Sequence, residues 1–465
     1  MSHSRTPPAR LGAYPTYFAA LASIVAVCIV SYLPAIDNFF ISDDFALFVV
    51  IEAAQNNPRW FFESTTEFFR LMSFVYFGAC YWLFGLSPQP YYWAGIALHA
   101  VVSIMVFFLV RDLTGSSRGA WAAGLFFAAY ERHQEAIMWI SAANETILTL
   151  NCMAFLLLWR RAAERKSAVY FVLAHLMLAL ALLSKESAVV LVPLAVIQLL
   201  LAGHSVRTVL QKSIGLVGMA SAFVLIWFAV AQRNAFLTLG YYALGWQFVS
   251  VYSRSLLRLL LQLAPLTAAL GIIRYRQIHP VASSTVKPKP MQEGPSWKNA
   301  AIFFSAFLLL TIVPYSFLTY LNHIPSRHTY LPSIGLAGLL GIVFAALYGS
   351  VRTEWSRRIC VLSLLVIVTG NIGYIWLKKE PQYQQRAAPT RELIDILNAS
   401  NKPRLPMYVC KFPLNGWIFD EAVARFTQYD AKNVILDDNC NTRGGASVRW
   451  DEGTSSYSTY YSDSD

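Results

Sequence analysis

The sequence predicts an all-α polytopic membrane protein, and two observations support that fold class. Of the 465 residues, 56% are hydrophobic and only 14% are charged, a balance that soluble globular domains do not show. Apolar stretches of about 17–25 residues, each long enough to cross about 30 Å of hydrocarbon, recur as far as residue 377. The chain after residue 377 is polar, so we expect it to fold outside the membrane.

About eleven apolar segments are predicted to be transmembrane helices. They are residues 15–36, 90–110, 114–130, 144–159, 168–184, 187–203, 213–232, 255–273, 299–318, 330–350 and 359–377. Two further apolar stretches, 71–86 in the first external loop and the aromatic segment 234–253, are predicted to lie at the membrane interface. Making 234–253 a full span would move the basic loop after residue 273 to the opposite side.

Lys and Arg cluster in loops that two crossings separate, as expected of short cytoplasmic loops. The clusters are Arg5/Arg10, Arg111/Arg118, Arg160 to Lys166, Arg207/Lys212, Arg274 to Lys298 and Arg352 to Arg358. We therefore expect a multi-pass protein of a bacterial-type inner (plasma) membrane, with a cytoplasmic N-terminus and an external, periplasmic C-terminus. The net charge of +11 lies mostly in these loops, which argues against nucleic acid as a partner.

The chain is predicted to have three parts. Residues 1–377 form the membrane domain, 378–453 a small external α/β appendage, and 454–465, rich in Ser, Tyr and Asp, a disordered tail. The appendage is predicted to contain helix 391–399, strand 407–410, helix 419–426 and strand 433–436.

Six cysteines divide between the two environments. Cys28, Cys80, Cys152 and Cys360 fall in or beside apolar segments, where cysteine behaves as a small hydrophobic residue. Cys410 and Cys440 lie in the external appendage. Our hypothesis is that these two form a disulfide, because an external compartment permits one.

Asp43 and Asp44 directly follow the first predicted span. Two adjacent carboxylates at the point where a helix meets water are suited to acid/base or cation chemistry. An alternative is that the pair caps the helix that begins near Phe45, because Asp is a favoured capping residue. The two roles are compatible.

Further ionisable residues occur in the first external loop and at three later turns. They are Arg70; His133, Glu135 and Glu145; Lys185 and Glu186; and Arg327 with His328. A charged group costs about 2.5–3.5 kcal/mol at the centre of a membrane helix, so the second external turn, with His133, Glu135 and Glu145, predicts a wet cavity. Arg327 and His328, at the outer mouth of a helix, suit anion binding. Loop caps, a polar hairpin turn and interfacial anchoring are the simpler alternatives.

Taken in order, these residues resemble the C-type membrane glycosyltransferases, and among them the protein O-mannosyltransferase branch and its bacterial relatives. The matching pieces are Asp43-Asp44-Phe45, Arg70 to Gly85, His99, His133 to Ala136 with Trp139, Lys185-Glu186-Ser187 and Arg327 to Ser333. The set spans residues 15–377. It departs from the family at Leu71-Met72, where members often have Pro-Leu, and at Glu145, where they often have Asp.

The resemblance implies an inverting transfer of a sugar from a polyprenyl-phosphate donor to an acceptor on the external face. Asp43 is the preferred base, and Asp44 either shares that role or orients a donor or a cation. The remaining roles implied are donor-phosphate binding by Arg70, Lys185, Arg327 and His328, and sugar or acceptor binding by His133, Glu135, Glu145 and Glu186.

Several points stay open in the sequence. The acceptor is a protein, a lipid or a glycan, no cofactor beyond the lipid-linked sugar is firmly implied, and a divalent metal is left open. The main alternative function is a transporter or flippase of a lipid-linked sugar. Transporters place ionisable groups near the membrane midplane and have related halves, whereas these residues lie at external span ends.

Overall fold

The computed structural model describes residues 14–57, 59, 70–231, 240–243, 245–269, 271, 297–319, 321–351, 353–400, 406–437 and 446–461 of the 465.

The membrane domain is built of apolar helices. Seven described helical segments are long and apolar enough to cross a membrane: Tyr17–Asp37, Pro88–Thr114, Ile140–Arg165, Val206–Ala229, Trp297–Phe317, Ser333–Ser350 and Glu354–Ala399. Shorter apolar helices are Leu71–Phe84, Ala168–Ser184 and Glu186–Leu201. The chain is therefore a mostly helical multi-pass membrane protein, and the count of about eleven spans stays a prediction.

The helices named below are numbered in chain order. They are α1 (Tyr14–Tyr32), α2 (Asp44–Asn56), α3 (Leu71–Phe84), α4 (Pro88–Thr114), α5 (Ser117–Ala129), α6 (Gln134–Met138), α7 (Asn144–Arg165), α8 (Ala168–Ser184), α9 (Leu191–Leu201), α10 (Val206–Ala231), α11 (Gln247–Leu260), α12 (Trp297–Ile312), α13 (Ser333–Ser350), α14 (Glu354–Tyr374), α15 (Glu380–Ala399) and α16 (Gly416–Phe426).

The predicted span 255–273 is not confirmed. Its first residues belong to the amphipathic helix α11, which begins inside the segment predicted to be interfacial. Arg254 and Arg258 lie on the exposed side of α11, and the span 255–273 stays a prediction. Residues 232–239 and 272–296 lie outside the described residues.

Small residues allow close helix packing in the bundle. A methyl group on Gly119 of α5 would lie 2.7 Å from the Gly341 carbonyl oxygen, and one on Gly341 of α13 would lie 2.5 Å from the Gly119 carbonyl oxygen. Neither position has room for a side chain, so the two backbones meet directly.

The loop between α1 and α4 holds α2 and α3 against the bundle. Ser42 has a φ of 46° in the turn before α2, a left-handed conformation that is uncommon for a residue with a side chain. Phe45, Phe48 and Ile51 are buried along α2. Phe48 also packs edge-on against Phe77 of α3, so the helix that follows Asp43 is fixed along one face.

The C-terminal unit has the predicted α/β composition with different boundaries. Its sheet has the order β2-β1-β3-β4, with β1 (Met407–Cys410) parallel to β2 (Val434–Leu436) and β3 (Ala446–Asp451), and β3 antiparallel to β4 (Ser456–Tyr461).

The disordered tail predicted from residue 454 is wrong for the part that forms β4. Tyr457 of this strand contacts Trp450 and donates to the Pro389 carbonyl oxygen at 3.1 Å. Packing of this tyrosine offsets the polar composition of the segment. The predicted domain boundary after residue 377 falls within the continuous helical segment Glu354–Ala399.

Helix α16 packs the C-terminal unit directly onto α2. The Phe426 ring centroid lies 5.2 Å from that of Phe39, 5.7 Å from Phe40 and 6.0 Å from Phe45. These aromatic residues flank the Asp43-Asp44 turn on both sides in the sequence. The C-terminal unit therefore forms part of the surroundings of that turn.

An ion pair reinforces the same contact. Arg425 pairs with Glu52 of α2 and with Glu421 of its own helix. The Tyr81 hydroxyl of α3 donates to the same Glu52 carboxylate at 2.9 Å. Three elements far apart in the sequence thus meet at one carboxylate.

Helix α15 makes a second set of contacts with the external loops. Arg391 donates to the Asp37 carbonyl oxygen at 2.9 Å, and the Tyr383 hydroxyl donates to Gln134 Oε1 at 2.7 Å. The Arg386 guanidinium lies 4.7 Å from the centroid of a Trp139 ring.

Candidate active site

A cavity of about 200 Å³ lies where the loops before α2, α3 and α7 meet the ends of α7, α8 and α12. Residues of seven chain segments line it: Asp43, Arg70, Trp139, Ser141, Ala142, Asn144, Lys185, Glu186, Tyr242, Tyr315, Leu318, Arg327 and His328. Six of the ten residues singled out in the sequence are among them. The other four, Asp44, His133, Glu135 and Glu145, lie behind its wall.

Asp43 is the exposed member of the acidic pair. In the described part of the chain its carboxylate has no ion-pair partner within 4 Å, and it accepts a long 3.4 Å hydrogen bond from Ser42 Oγ. The left-handed turn at Ser42 and the start of α2 hold this carboxylate at the cavity. Asp43 is thus placed to accept a proton from a molecule in the cavity.

Asp44 is fully buried and has a different role. Its Oδ2 accepts the Ile41 backbone N–H at 2.8 Å, and its Oδ1 accepts the Ser141 backbone N–H at 2.7 Å and the Ser141 hydroxyl. Burial raises the pKa of Asp44 to about 7, against these hydrogen bonds, which lower it. The side chain joins the first external loop to the second and has no surface at the cavity.

Lys185 and Glu145 form a buried ion pair at the base of the cavity. His328 Nδ1 lies 2.5 Å from Glu145 Oε1 and 3.1 Å from Lys185 Nζ, so the neutral ring either donates to the carboxylate or accepts from the ammonium. Burial lowers the pKa of Lys185 to about 8, against Glu145, which raises it. Burial also lowers the pKa of His328 to about 4.

Tyr315 covers this group on one side. Its ring stacks on the His328 imidazole with centroids 4.5 Å apart and planes inclined by 6°. Lys185 Nζ lies 4.7 Å from the Tyr315 ring centroid. The ammonium is therefore held between a carboxylate and an aromatic face.

Arg70 and Glu186 form a second pair on the cavity wall. Arg70 Nη2 and Nε donate to the two oxygens of Glu186 at 2.8 and 3.3 Å. Lys185 and Glu186, although adjacent, have separate partners, as the sequence predicts for neighbours that do not face each other.

Arg327 and Glu135 form the third pair. Glu135 Oε2 also accepts the Ser326 hydroxyl at 2.7 Å and the Arg327 backbone N–H at 3.1 Å. Burial raises the pKa of Glu135, but Arg327 and these hydrogen bonds outweigh burial and leave it below its usual value. The guanidinium lies 5.2 Å from a Trp139 ring centroid, at the cavity edge.

His133 does not reach the cavity. It is fully buried, and its Nε2 lies 2.6 Å from Ser333 Oγ. His99 is also buried, with Nδ1 2.7 Å from the Tyr330 hydroxyl and Nε2 3.1 Å from the Ala128 carbonyl oxygen. Both histidines connect helices within the bundle.

The sequence also raised a disulfide and a divalent metal, neither of which is part of the contacts described above. Cys440 lies outside the described residues, so the Cys410–Cys440 disulfide stays a hypothesis. Within the described residues there is no group of three or more His, Cys, Asp and Glu side chains that could hold a metal ion.

Parts of the sequence are similar to known proteins. Residues 71–231 match the family model described as dolichyl-phosphate-mannose-protein mannosyltransferase. The protein O-mannosyl-transferase Tmtc1 of Drosophila melanogaster is 30% identical over 124 residues, which are 26% of this chain and 14% of that protein. The chain thus spans about a seventh of the length of this relative.

Solved structures extend the likeness to the whole fold. Crystal structures of ArnT from Cupriavidus metallidurans match with TM-scores of 0.51 when bound to undecaprenyl phosphate and 0.52 in the apo state. The first is 14% identical and the second 13%, and the matches cover 94% and 95% of this chain and 94% of ArnT in each case. At such identities the likeness concerns the fold.

The predicted resemblance to the C-type membrane glycosyltransferases is confirmed. The matched segment 71–231 includes the predicted Lys185, Glu186, Glu135 and Glu145. Asp43 and Arg327 lie outside that segment.

Seven cavity residues were not predicted as site residues, and three of them are aromatic: Trp139, Tyr242 and Tyr315. Trp139 occurs in the predicted turn that carries His133, Glu135 and Glu145, so its position gave a signal, whereas Tyr315 falls inside the predicted span 299–318. Tyr242 belongs to the aromatic segment 234–253, and its hydroxyl donates to the Pro314 carbonyl oxygen at 3.0 Å. That contact brings a residue of the segment predicted to be interfacial to the cavity wall.

Proposed function

We propose that this chain is an integral membrane glycosyltransferase that moves a sugar from a polyprenyl-phosphate donor to an acceptor on the external face. Asp43 is the base, and the reaction inverts the anomeric configuration. The observation that carries the proposal is the composition of one cavity. An unpaired carboxylate, two guanidinium groups and an ammonium line it together.

The arrangement of Asp43 supports its role as base. A general base must reach the proton that it removes, within about 2.6–3.2 Å. Asp43 is exposed at the cavity, whereas all the polar contacts of Asp44 described above are to Ile41 and Ser141. We therefore assign proton transfer to Asp43 and the positioning of its turn to Asp44.

The three cations suit a phosphate that must leave. Arg70 and Arg327 can offer paired N–H donors to phosphate oxygens, and Lys185 adds a compact positive charge. Each cation forms an ion pair with a carboxylate: Arg70 with Glu186, Arg327 with Glu135, and Lys185 with Glu145. We infer that Glu135 and Glu145 act by orienting these cations, a change from the sugar-binding role that the sequence resemblance implies.

The proposed step conserves atoms and charge. An acceptor O–H transfers its proton to Asp43 as its oxygen bonds to the anomeric carbon, from the face opposite the phosphate. The bond between the anomeric carbon and the phosphate oxygen breaks, and the electron pair stays on the polyprenyl phosphate. Arg70, Lys185 and Arg327 stabilise the negative charge that develops there.

The sugar is proposed to lie between Asp43 and the cations. Trp139 and Tyr315 offer apolar surfaces for a sugar ring, and Glu186 remains at the wall to accept sugar hydroxyls. The identity of the sugar does not follow from these contacts. The external location follows from the Lys and Arg distribution, because the cavity lies at the opposite helix ends.

The comparisons support the donor class. One ArnT structure is described as bound to undecaprenyl phosphate, and the matching family is described by a dolichyl-phosphate-mannose donor. Both descriptions contain a polyprenyl phosphate. We carry only this class of lipid over to the present chain.

The test reconstitutes the purified protein in liposomes with a panel of radiolabelled polyprenyl-phosphate sugars and candidate protein, lipid and glycan acceptors. We expect a new glycosidic product from at least one donor and release of polyprenyl phosphate. Label that crosses the bilayer without forming a new glycosidic bond would instead identify a transporter or flippase. A protein that does neither with the full panel would contradict both functions.

A further inference from the structure

A cluster of three arginines and a histidine does not line the cavity and takes no part in the proposed reaction. It contains Arg132 in the turn before α6, Arg254 and Arg258 on α11, and His323 before the Arg327 turn. Arg254 and Arg258 are exposed, and Arg132 and His323 are half-buried. In the described part of the chain, none of these four side chains is in an ion pair within 4 Å.

Hydrogen bonds place the three segments next to one another. Ser255 Oγ of α11 accepts the Ile324 backbone N–H at 3.1 Å. Asn371 accepts the Glu131 backbone N–H at 3.0 Å and contacts Gln262 Oε1 at 3.5 Å. Arg254 precedes Ser255, His323 precedes Ile324, and Arg132 follows Glu131 in the sequence.

The electrostatics agree with that placement. Burial, then Arg258, Arg132 and Arg254 in that order, lower the pKa of His323. Arg254 and Arg258 are four residues apart on one helix, a spacing at which like charges destabilise a helix. Burial raises the pKa of Glu131, the carboxylate of the same region, while Arg132, Lys379 and Arg258 lower it; no ion pair within 4 Å joins it to these arginines, and three arginines exceed its single charge. The cluster therefore carries excess positive charge in the protein alone.

Helix α11 presents three different surfaces. Val251, Ser255 and Leu259, at helical spacing, are buried against the protein. Trp246, just before the helix, and Val249 and Leu257 on it are 90%, 52% and 61% exposed. This combination of an exposed apolar surface and an adjoining cationic surface is typical of a helix that lies in the headgroup region of a membrane.

We propose that Arg132, Arg254, Arg258 and His323 bind the phosphate of an anionic phospholipid in the leaflet at which the cavity opens. The phosphodiester accepts paired donors from the arginines, while the acyl chains cover the exposed apolar surface of α11. The site is separate from the donor-phosphate cations Arg70, Lys185 and Arg327, and it does not depend on the transferase proposal.

The location explains why such a site matters to this chain. Residues 240–243 precede α11, and Tyr242 pairs with Leu318 in an antiparallel bridge at the cavity wall. A lipid that fixes α11 at the membrane surface also fixes the segment that carries Tyr242. Anionic lipid is thus linked to the shape of the cavity.

The test uses native mass spectrometry of the full chain in micelles that contain equal amounts of phosphatidylglycerol and phosphatidylcholine. We compare wild type with Arg254→Gln/Arg258→Gln and with the matched control Arg357→Gln/Arg358→Gln, which removes two arginines from the start of α14. In the first variant we expect at least one fewer bound phosphatidylglycerol and a preference over phosphatidylcholine reduced about ten-fold. We expect the control to bind as wild type does.

Equal retention of phosphatidylglycerol by wild type and Arg254→Gln/Arg258→Gln would overturn the proposal. An equal loss in the control would also overturn it, because the effect would then reflect surface charge in general. If the double variant does not fold, Arg132→Gln replaces it, with the same expected loss. Arg254→Lys/Arg258→Lys is expected to retain part of the preference, since it keeps the charge and loses the paired donors.

Discussion

Asp44 and Ser141, 97 positions apart in the sequence, are joined by two hydrogen bonds inside the protein. The Ser141 backbone N–H donates to Asp44 Oδ1 at 2.7 Å, and the Ser141 hydroxyl donates to the same oxygen. This contact fixes the turn that holds Asp43 at the cavity. We therefore propose separate roles for the two aspartates, a structural one for Asp44 and a chemical one for Asp43.

Removing the Asp44 carboxylate should destabilise the protein. Asp44→Ala leaves the buried donors of Ile41 and Ser141 without their acceptor, and each buried unsatisfied group costs about 1–3 kcal/mol. We expect a clear fall in the thermal unfolding midpoint in detergent. Asp43→Ala is the matched control, and as an exposed substitution it should change the free energy of unfolding by less than about 0.5 kcal/mol. Equal midpoints for both variants would contradict the structural role of Asp44.

The free energy of unfolding should depend on pH because of the same residue, Asp44. Burial raises the pKa of Asp44 to about 7 from the ordinary value of 3.8 for an aspartate. Between these values the folded protein holds a proton that the unfolded chain has lost. Stability should therefore fall as pH rises from about 4 to 7, by at most about 1.4 kcal/mol per pH unit. Unfolding curves of Asp44→Asn should lack this component, and an identical pH profile in both proteins would refute it.

Transfer activity should decline at alkaline pH because of Lys185. Burial lowers the pKa of Lys185 to about 8, so its positive charge is lost as pH rises through that value. Rates measured from pH 6.5 to 9.5 should fall above pH 8, mainly through weaker donor binding. In Lys185→Arg, any remaining activity should lose this alkaline limb, because arginine stays charged. A limb that persists unchanged in that variant would assign it to another group.

The C-terminal unit should affect catalysis through Phe426. Truncation by Phe426→Ala removes the ring that packs on Phe39, Phe40 and Phe45, and loosens the turn that holds Asp43. We expect kcat to fall by about ten-fold or more with a smaller change in the KM for donor. Phe426→Leu, which keeps most of the apolar volume, should restore much of the rate. Phe412→Ala is the control, since Phe412 packs on Phe419 within the unit.

A fall in KM and kcat together in both Phe426→Ala and Phe412→Ala would indicate general destabilisation. In that case the C-terminal unit would have no specific positioning role.

The sequence predicted the membrane domain well, for a physical reason. Long apolar runs are required by the bilayer and are local in sequence, so helices such as α4, α7 and α13 could be placed without a structure. The amphipathic helix α11 was harder, because its arginines interrupt one face of an otherwise apolar segment. Strand β4 could not be predicted from composition, since it depends on pairing with β3 and on the packing of Tyr457.

The cavity was partly predictable for the same reason. Charges are costly next to a membrane, so Asp43, Lys185 and Arg327 were identifiable as candidate site residues. Their partners were less evident. The separation of Asp43 from Asp44, and the role of Phe426 beside them, depend on contacts between segments far apart in the chain.

The most direct test of the central proposal is the transfer rate of Asp43→Asn beside that of Asp37→Asn. Asp37 is an exposed aspartate of the same loop that does not line the cavity. Both proteins are measured in liposomes with a donor and acceptor that wild type uses, at equal amounts of folded protein. We expect Asp43→Asn to lose about 10²–10⁴-fold in rate while donor binding is retained, and Asp37→Asn to match wild type. A near-normal rate from Asp43→Asn would contradict the assignment of Asp43 as the base.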